Sequence, residues 1–305
     1  PVLGVMTAET LEDAIAIQNQ VDYGLTSGLH SLNPAELGLW LDTVQAGNLY
    51  VNRGITGAIV QRQPFGGWKK SAVGAGTKAG GPNYLVGLGE WASKPSAAAG
   101  NAGTPAHPGV RRIEQAVQGI LAAGELEVLR RALASDALAW AEEFGTARDV
   151  SGLSAERNIF RYRALPVTVR LSEGEPLALL VRTVAAGVLA GSALTVSTAV
   201  ELPGQLRTVL TGLGIDQTVE DDAGWLASAA RLAGAARLAT SRIRLIGGNA
   251  TALAEATGGR PDLASYHHTV TEAGRVELLP FLHEQAISIT AHRFGTPNHL
   301  SKGLI

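Results

Sequence analysis

No cysteine occurs among the 305 residues. That excludes disulfides and leaves no thiol in the chain to act as a nucleophile. Aromatic residues are scarce at 5%, against 46% hydrophobic residues in all, so any core must be built chiefly from Ala, Leu and Val. The net charge is -2, and no basic run exceeds short pairs such as Arg111-Arg112. The field that nucleic-acid binders present is therefore missing, and no nucleic-acid partner is expected. Long apolar runs are missing as well. The longest, Leu177 to Val200, is broken by Arg182, Gly187 and Gly191, so no transmembrane segment is expected. No signal peptide is visible, which with the lack of cysteine fits a cytoplasmic protein. The chain opens on Pro1 and has its one methionine at Met6, which suggests a piece of something longer.

What is present reads as α/β. "PVLGVMT" predicts a short strand. "TLEDAIAIQNQV" predicts a helix capped by Thr10, with Leu11, Ala14, Ile17 and Val21 on one face. "GLTSGLHS" is a second strand candidate. In "NPAELGLWLDTVQAG", Asn33 can cap, Pro34 suits the first helical position and Glu36 can reach back to the cap amide. Leu37, Trp40, Leu41 and Val44 make its buried stripe and Gly47 ends it. "NLYVN" is a further strand.

From Lys94 to Pro108 the chain is dominated by Ala, Gly and Pro, a composition that predicts a linker or exposed loop over 94–110. Helical sequence follows from Arg111 to about Phe144. A second α/β series comes next, with strands at "NIFRYR", "VTVRL", "ALTVST" and "RIRLIGG" and a helix at "PLALLVRTVAAGVLAG". No repeat of solenoid period is present.

Four stretches carry a resemblance: "PVLGV" (Pro1 to Val5), "YGLTSGLHS" (Tyr23 to Ser31), "LYVNRGITGAIVQRQPFGG" (Leu49 to Gly67) and "KAGGPNYL" (Lys78 to Leu85). Together they make Pro1 to about Trp91 similar to the end of the L-glutamate-γ-semialdehyde dehydrogenase module of the proline utilization A family, within the aldehyde dehydrogenase superfamily. The resemblance implies a bifunctional bacterial enzyme. A flavin-dependent proline dehydrogenase, holding FAD, supplies L-glutamate γ-semialdehyde, and the dehydrogenase module oxidises it to glutamate with NAD. It also implies a homo-oligomer, other domains of the parent chain as partners, and a cytoplasmic protein peripheral to the inner membrane at most through the flavin domain. In this family the Rossmann domain, the catalytic cysteine and the general-base glutamate precede the segment on which the chain opens. The chain is therefore expected to be a C-terminal fragment, inactive alone, with residues 1–93 ending the dehydrogenase module. A stand-alone structural or partner-binding descendant is the alternative.

Residues 111–305 resemble the extra C-terminal domain of the longer members. There "PLALLVRTVAAGVLAGSALTVSTAVELPG" (Pro176 to Gly204) is similar to a first cofactor-binding helix and strand. The lysine that helps hold the adenosine ribose is missing, and Val196, Ser197 and Thr198 occupy the region. The expected fold is thus α/β, the C-terminal portion of an aldehyde dehydrogenase catalytic domain followed by a degenerate, Rossmann-like, non-catalytic domain. The motif "RVELLPFLHEQAISITAHRFGTPN" (Arg275 to Asn298) is too apolar for a free tail. Family resemblance suggests that it docks on the dehydrogenase module and helps enclose the passage carrying semialdehyde; the alternative is that it only completes the core of its own domain.

In "RGITGAIVQRQPFGG", Gly54 and Gly57 permit a tight loop whose amides can hold an anion without a cationic side chain. The resemblance places the substrate α-carboxylate at the amides of Gly57 and Ala58, with Phe65 on the aliphatic stem. An ordinary Gly-rich turn with a core phenylalanine is the other reading. "GAGTKAGG" (Gly74 to Gly81) lacks the ending and spacing of a phosphate loop. Lys69, Lys70 and Lys78 are expected to be solvated or at a subunit contact. Five of the seven histidines (His267, His268, His283, His292 and His299) lie near the C-terminus. Without cysteine or HExxH spacing they are expected at the surface or in hydrogen bonds, not on a metal.

Overall fold

The computed structural model describes residues 1–92, 107–234 and 241–305. Most of the expected 94–110 linker lies outside the described residues. The first portion contains α1 (Leu11–Asn19), β1 (Tyr23–Gly24), β2 (Thr26–Leu29), α2 (Pro34–Thr43), β3 (Asn48–Val51) and β4 (Trp68–Lys69). The second opens with α3 (Pro108–Val117) and α4 (Ala123–Ala139), then β5 (Arg148–Asp149), β6 (Glu156–Ala164), β7 (Val167–Leu171), α5 (Leu177–Leu189) and β8 (Leu194–Thr198). It continues with α6 (Gly204–Thr211), β9 (Asp216–Val219), α7 (Asp222–Gly234), β10 (Arg242–Ile246), α8 (Ala250–Ala256), β11 (Ala264–Tyr266), α9 (Gly274–Glu277) and β12 (Leu282–Thr290).

The two N-cap residues act as expected, but Glu36 does not reach the Asn33 amide: it accepts from Ser31 Oγ at 2.5 Å, and Ser31 Oγ in turn accepts the Asn33 N–H at 3.0 Å. Thr10 accepts from the Asp13 amide, and Asn33 accepts from Ala35 N–H ahead of Pro34. All four residues of the α2 stripe, Leu37, Trp40, Leu41 and Val44, are buried. Two further expectations fail. Pro1 to Thr7 form no strand and lie exposed, with no neighbouring edge among the described residues to pair with. On α1, Ile15 is the buried residue while Ala14 and Val21 are exposed, because this helix touches the body on the narrow side facing α2.

Two five-stranded sheets organise the chain. One is wholly parallel, in the order β11-β10-β7-β8-β9. Numbered along its own stretch, this is 5-4-1-2-3, the doubly wound dinucleotide-binding order without a sixth strand. Apolar side chains of α3, α4, α5 and α6 cover one face, including Val117, Leu133, Val184 and Leu206. Trp225 and Ala229 of α7 and Leu253 of α8 cover the other. The second sheet, β2-β3-β12-β6-β5, is mixed and draws on both portions. Its middle strand comes from the C-terminal motif. β12 pairs in parallel with β3, from Ala286↔Asn48 to Ile289↔Val51, and antiparallel with all nine residues of β6. Leu278, Leu279, Phe281 and Leu282 enter the core under the parallel sheet, whereas Ile287 and Ile289 enter the core built on Leu37, Trp40 and Leu49. The C-terminal motif thus contributes to both cores.

Candidate functional site: the loop after β3

β3 ends at Val51, and Asn52, with φ of 56°, turns the chain sharply. The turn is held by two bonds. Asn52 Nδ2 donates to Ser31 O at 2.8 Å, and Ser31 N–H donates to Asn52 Oδ1 at 3.0 Å. Residues Gly54 to Val60 are then exposed. The buried Tyr50 reaches up from β3 and donates its hydroxyl to Gly57 O at 2.9 Å; burial raises its pKa, keeping it a donor. With the carbonyl tied down, the Gly57 and Ala58 amides are left on an exposed segment, and neither donates to a partner among the described residues. Gly57 sits at φ 127°, a conformation side-chain-bearing residues rarely adopt, and a Cβ there would lie 2.8 Å from Gln63 Oε1.

The return leg is knitted to the body. Ile59 and Gln63 form an antiparallel bridge, as do Phe65 and Ala79, and Phe65 is half-buried. The structure therefore brings Gly57 and Ala58 together on one exposed segment and puts Phe65 at its paired base. Tyr50 was readable from the outward position in "LYV", between the inward Leu49 and Val51. Gln63, Glu156 and Asn158, which also brace this loop, gave no local signal.

Lys69 and Lys78 correct the expectation of solvated lysines. Lys69 Nζ donates to Asn19 O and Val21 O at 2.6 and 2.9 Å. Lys78 is fully buried beneath Gly66, donating to Gly66 O and, at 3.3 Å, to Asn48 Oδ1. Burial brings its pKa down to about 7, although the nearby Glu284 carboxylate works the other way. Glu284 is raised by burial and accepts from Lys78 N–H at 2.6 Å and from Asn83 Nδ2 at 2.7 Å. Lys70 does lie at the surface, paired with Asp22 at 2.5 Å. Among the histidines, His283 stacks on Trp68 with ring centroids 3.7 Å apart, and His268 faces Glu277 at 3.2 Å.

In the parallel sheet a dinucleotide would lie at the carboxyl ends of β7 and β10, where the strand order reverses. The β7–α5 turn carries Glu173, Gly174 and Glu175 in place of a glycine-rich phosphate cradle. Glu175 fills the crevice, since a Cβ on Gly247 would stand 2.3 Å from its Oε1. At the end of β8, the buried Ser197 already accepts from Arg170 Nη1 at 2.9 Å and donates to Glu220 Oε1 at 2.6 Å. A pyrophosphate would meet two carboxylates there. The residues present do not fit a dinucleotide.

The class to which the chain is similar is the aldehyde dehydrogenase family, whose pattern residues 1–88 match. More particularly, the chain is similar over 97% of its length to proline utilization A (PutA) from Corynebacterium freiburgense, at 38% identity and a TM-score of 0.72, and covers 26% of that protein. Over 86 residues it is 46% identical to the 1-pyrroline-5-carboxylate dehydrogenase of Geobacillus sp. (strain WCH70) and 44% identical to that of Bacillus subtilis (strain 168). That stretch is 28% of this chain and 16% of each relative. The resemblance read from the sequence is shown, and with it the α/β fold. No helix among the described residues is long and apolar enough to cross a membrane.

Proposed function

We propose that this chain is the C-terminal part of a bifunctional enzyme of proline catabolism whose dehydrogenase module oxidises L-glutamate γ-semialdehyde to L-glutamate. Residues 1–93 complete that module, and residues 111–305 form a non-catalytic domain. NAD, when bound elsewhere in the longer protein, would accept the hydride, and FAD would serve the proline dehydrogenase step. The task of this chain is to bind and orient. Its C-terminal motif, seated between β3 and β6, would also help close the passage of semialdehyde between the two active sites.

The observation that carries this reading is the pair of exposed amides at Gly57 and Ala58. They sit within residues 1–88, which match the aldehyde dehydrogenase family, on a loop held by Tyr50 and Asn52. Two amides aimed at one anion make charge-assisted hydrogen bonds, each contributing about 1.5–3 kcal/mol. The carboxylate is held equally in ground and transition states, so losing its anchor raises KM and spares kcat. In the longer enzyme, Gly57→Val should raise KM for the semialdehyde roughly tenfold or more. KM for propanal, which has no α-carboxylate, should hardly move. An unchanged KM for the semialdehyde in a folded variant would remove the anchor. A longer protein with no dehydrogenase activity at all would favour a structural role.

A further inference from the structure

The loop carrying Gly57 is gripped from outside its own portion of the chain. Three of its side chains end on two residues of β6, about a hundred positions away. Arg53 Nη1 lies 2.8 Å from Glu156 Oε2 on the outgoing leg, and the Arg62 guanidinium meets Glu156 Oε1 on the returning leg. Gln63 Nε2 donates to Asn158 Oδ1 at 3.1 Å. Asn158 is itself fixed. It donates to Ser151 Oγ and Glu156 Oε1, each at 3.1 Å, and its Oδ1 also accepts from Ser288 Oγ of β12 at 3.2 Å. The Glu156 side chain is 14% exposed, so solvent screens these pairs less than at an open surface. Between loop and strand lies a cavity of about 500 Å³, walled by Arg53, Thr56 and Arg62 on one side and by Ser154, Glu156 and His292 on the other.

We propose that Glu156 is a positioning residue for the substrate loop. By holding Arg53 and Arg62, one on each leg, it keeps the Gly57 and Ala58 amides in the arrangement that receives a carboxylate. This rests on the reading of those amides as the substrate anchor. Residues Gly54 to Val60 are exposed and bury little apolar surface, so beyond the Tyr50 bond to Gly57 O and the Ile59–Gln63 bridge the loop depends on the grip of β6. An unclamped loop samples other conformations, and apparent affinity falls in proportion to the competent fraction. The clamp touches neither the aldehyde carbon nor the nucleophile, so its loss acts on KM.

Glu156→Gln keeps the shape and removes the charge that holds both arginines. In the longer enzyme, KM for the semialdehyde should rise roughly fivefold, the effect of a loop competent about one-fifth of the time. kcat should stay within roughly twofold, and KM for propanal should be unchanged. In this chain by itself, the Ile59 and Gln63 amides, each bonded to the other's carbonyl on the returning leg, should exchange hydrogen faster in the variant than in the wild type. Should Glu156→Gln fail to fold, Arg62→Gln removes one grip from the loop side and must move KM and exchange in the same direction. An unchanged semialdehyde KM, or equal shifts for both aldehydes, would overturn the assignment. If wild-type protein binds the semialdehyde no better than propanal, the anchor reading fails. The exchange measurement then decides the clamp by itself, with faster loop exchange supporting it and unchanged exchange refuting it.

Discussion

Lys78 shows how one residue can tie a surface loop to a distant strand. Its ammonium is spent on the Gly66 carbonyl and Asn48, while its backbone N–H is spent on Glu284. Burial holds the folded pKa at about 7, against 10.5 for the free side chain. Below about 7 both folded and unfolded chains carry the proton, and the cost of burying the charge is fully present. Between about 7 and 10.5 the unfolded chain binds a proton that the folded chain has released, so stability rises with pH. Lys78→Met lacks this dependence. Wild-type stability should therefore gain on the variant by up to about 1.4 kcal/mol per pH unit on the alkaline side of neutrality. Urea unfolding of both chains from about pH 6 to about pH 9 measures it, and parallel curves would show that Lys78 titrates as an ordinary lysine. The sequence concealed this burial because Glu284 lies 206 residues away. Lysine beside glycine reads locally as a solvated turn, and only the strand crossing above Gly66 makes it a core residue.

At the scale of elements, several strands of the second portion were legible almost to the residue, whereas the helical stretch from Arg111 to about Phe144 is broken into α3 and α4. "VTVRL" is β7 and "RIRLI" is β10, short apolar runs bounded by glycine or proline, as strands buried on both faces should be. The N-terminal "PVLGV" looks just as strand-like, yet no described edge receives it, so composition alone could not fix its state. The parallel sheet kept the dinucleotide strand order and lost the phosphate turn. Glu173 accepts from the Asp222 amide and Glu175 packs against Gly247, so both carboxylates serve the fold where an anion would otherwise sit. Titrating this chain with NAD at about millimolar concentration should give no saturable heat. Binding in the micromolar range, about -8 kcal/mol, would mean that the acidic turn rearranges to admit phosphate.

For the whole molecule, the decisive feature is that β12 stands between strands of the two portions. It was recognisable as a strand from Ile287 and Ile289 alternating with Ser288 and Thr290. Its partners were not, because parallel pairing with β3 spans more than two hundred residues and leaves no local signature. Much of what holds the portions together follows from this placement, and contacts from β6 and the parallel sheet add to it. Ile159, Ile287 and Ile289 share a core with Leu37, Trp40 and Leu49. Gln285 Nε2 donates to Ala46 O at 2.9 Å, and Trp68 Nε1 donates to Glu284 O at 2.7 Å. Arg242 of the parallel sheet donates to Ala75 O at 3.0 Å. A central strand with an apolar core on one side and a paired ladder on both edges is an obligate contact, closer to a domain core than to a transient interface. Residues 1–92 and 107–305, produced together as two separate chains, should therefore assemble and elute as a one-to-one complex. Residues 1–92 alone would leave the β3 edge and its apolar neighbours uncovered, and should aggregate or stay unfolded. Two folded pieces eluting apart would show that β12 docks too weakly to join the portions. The brace on the Gly57 loop would then have to be read as two separate domains in passing contact.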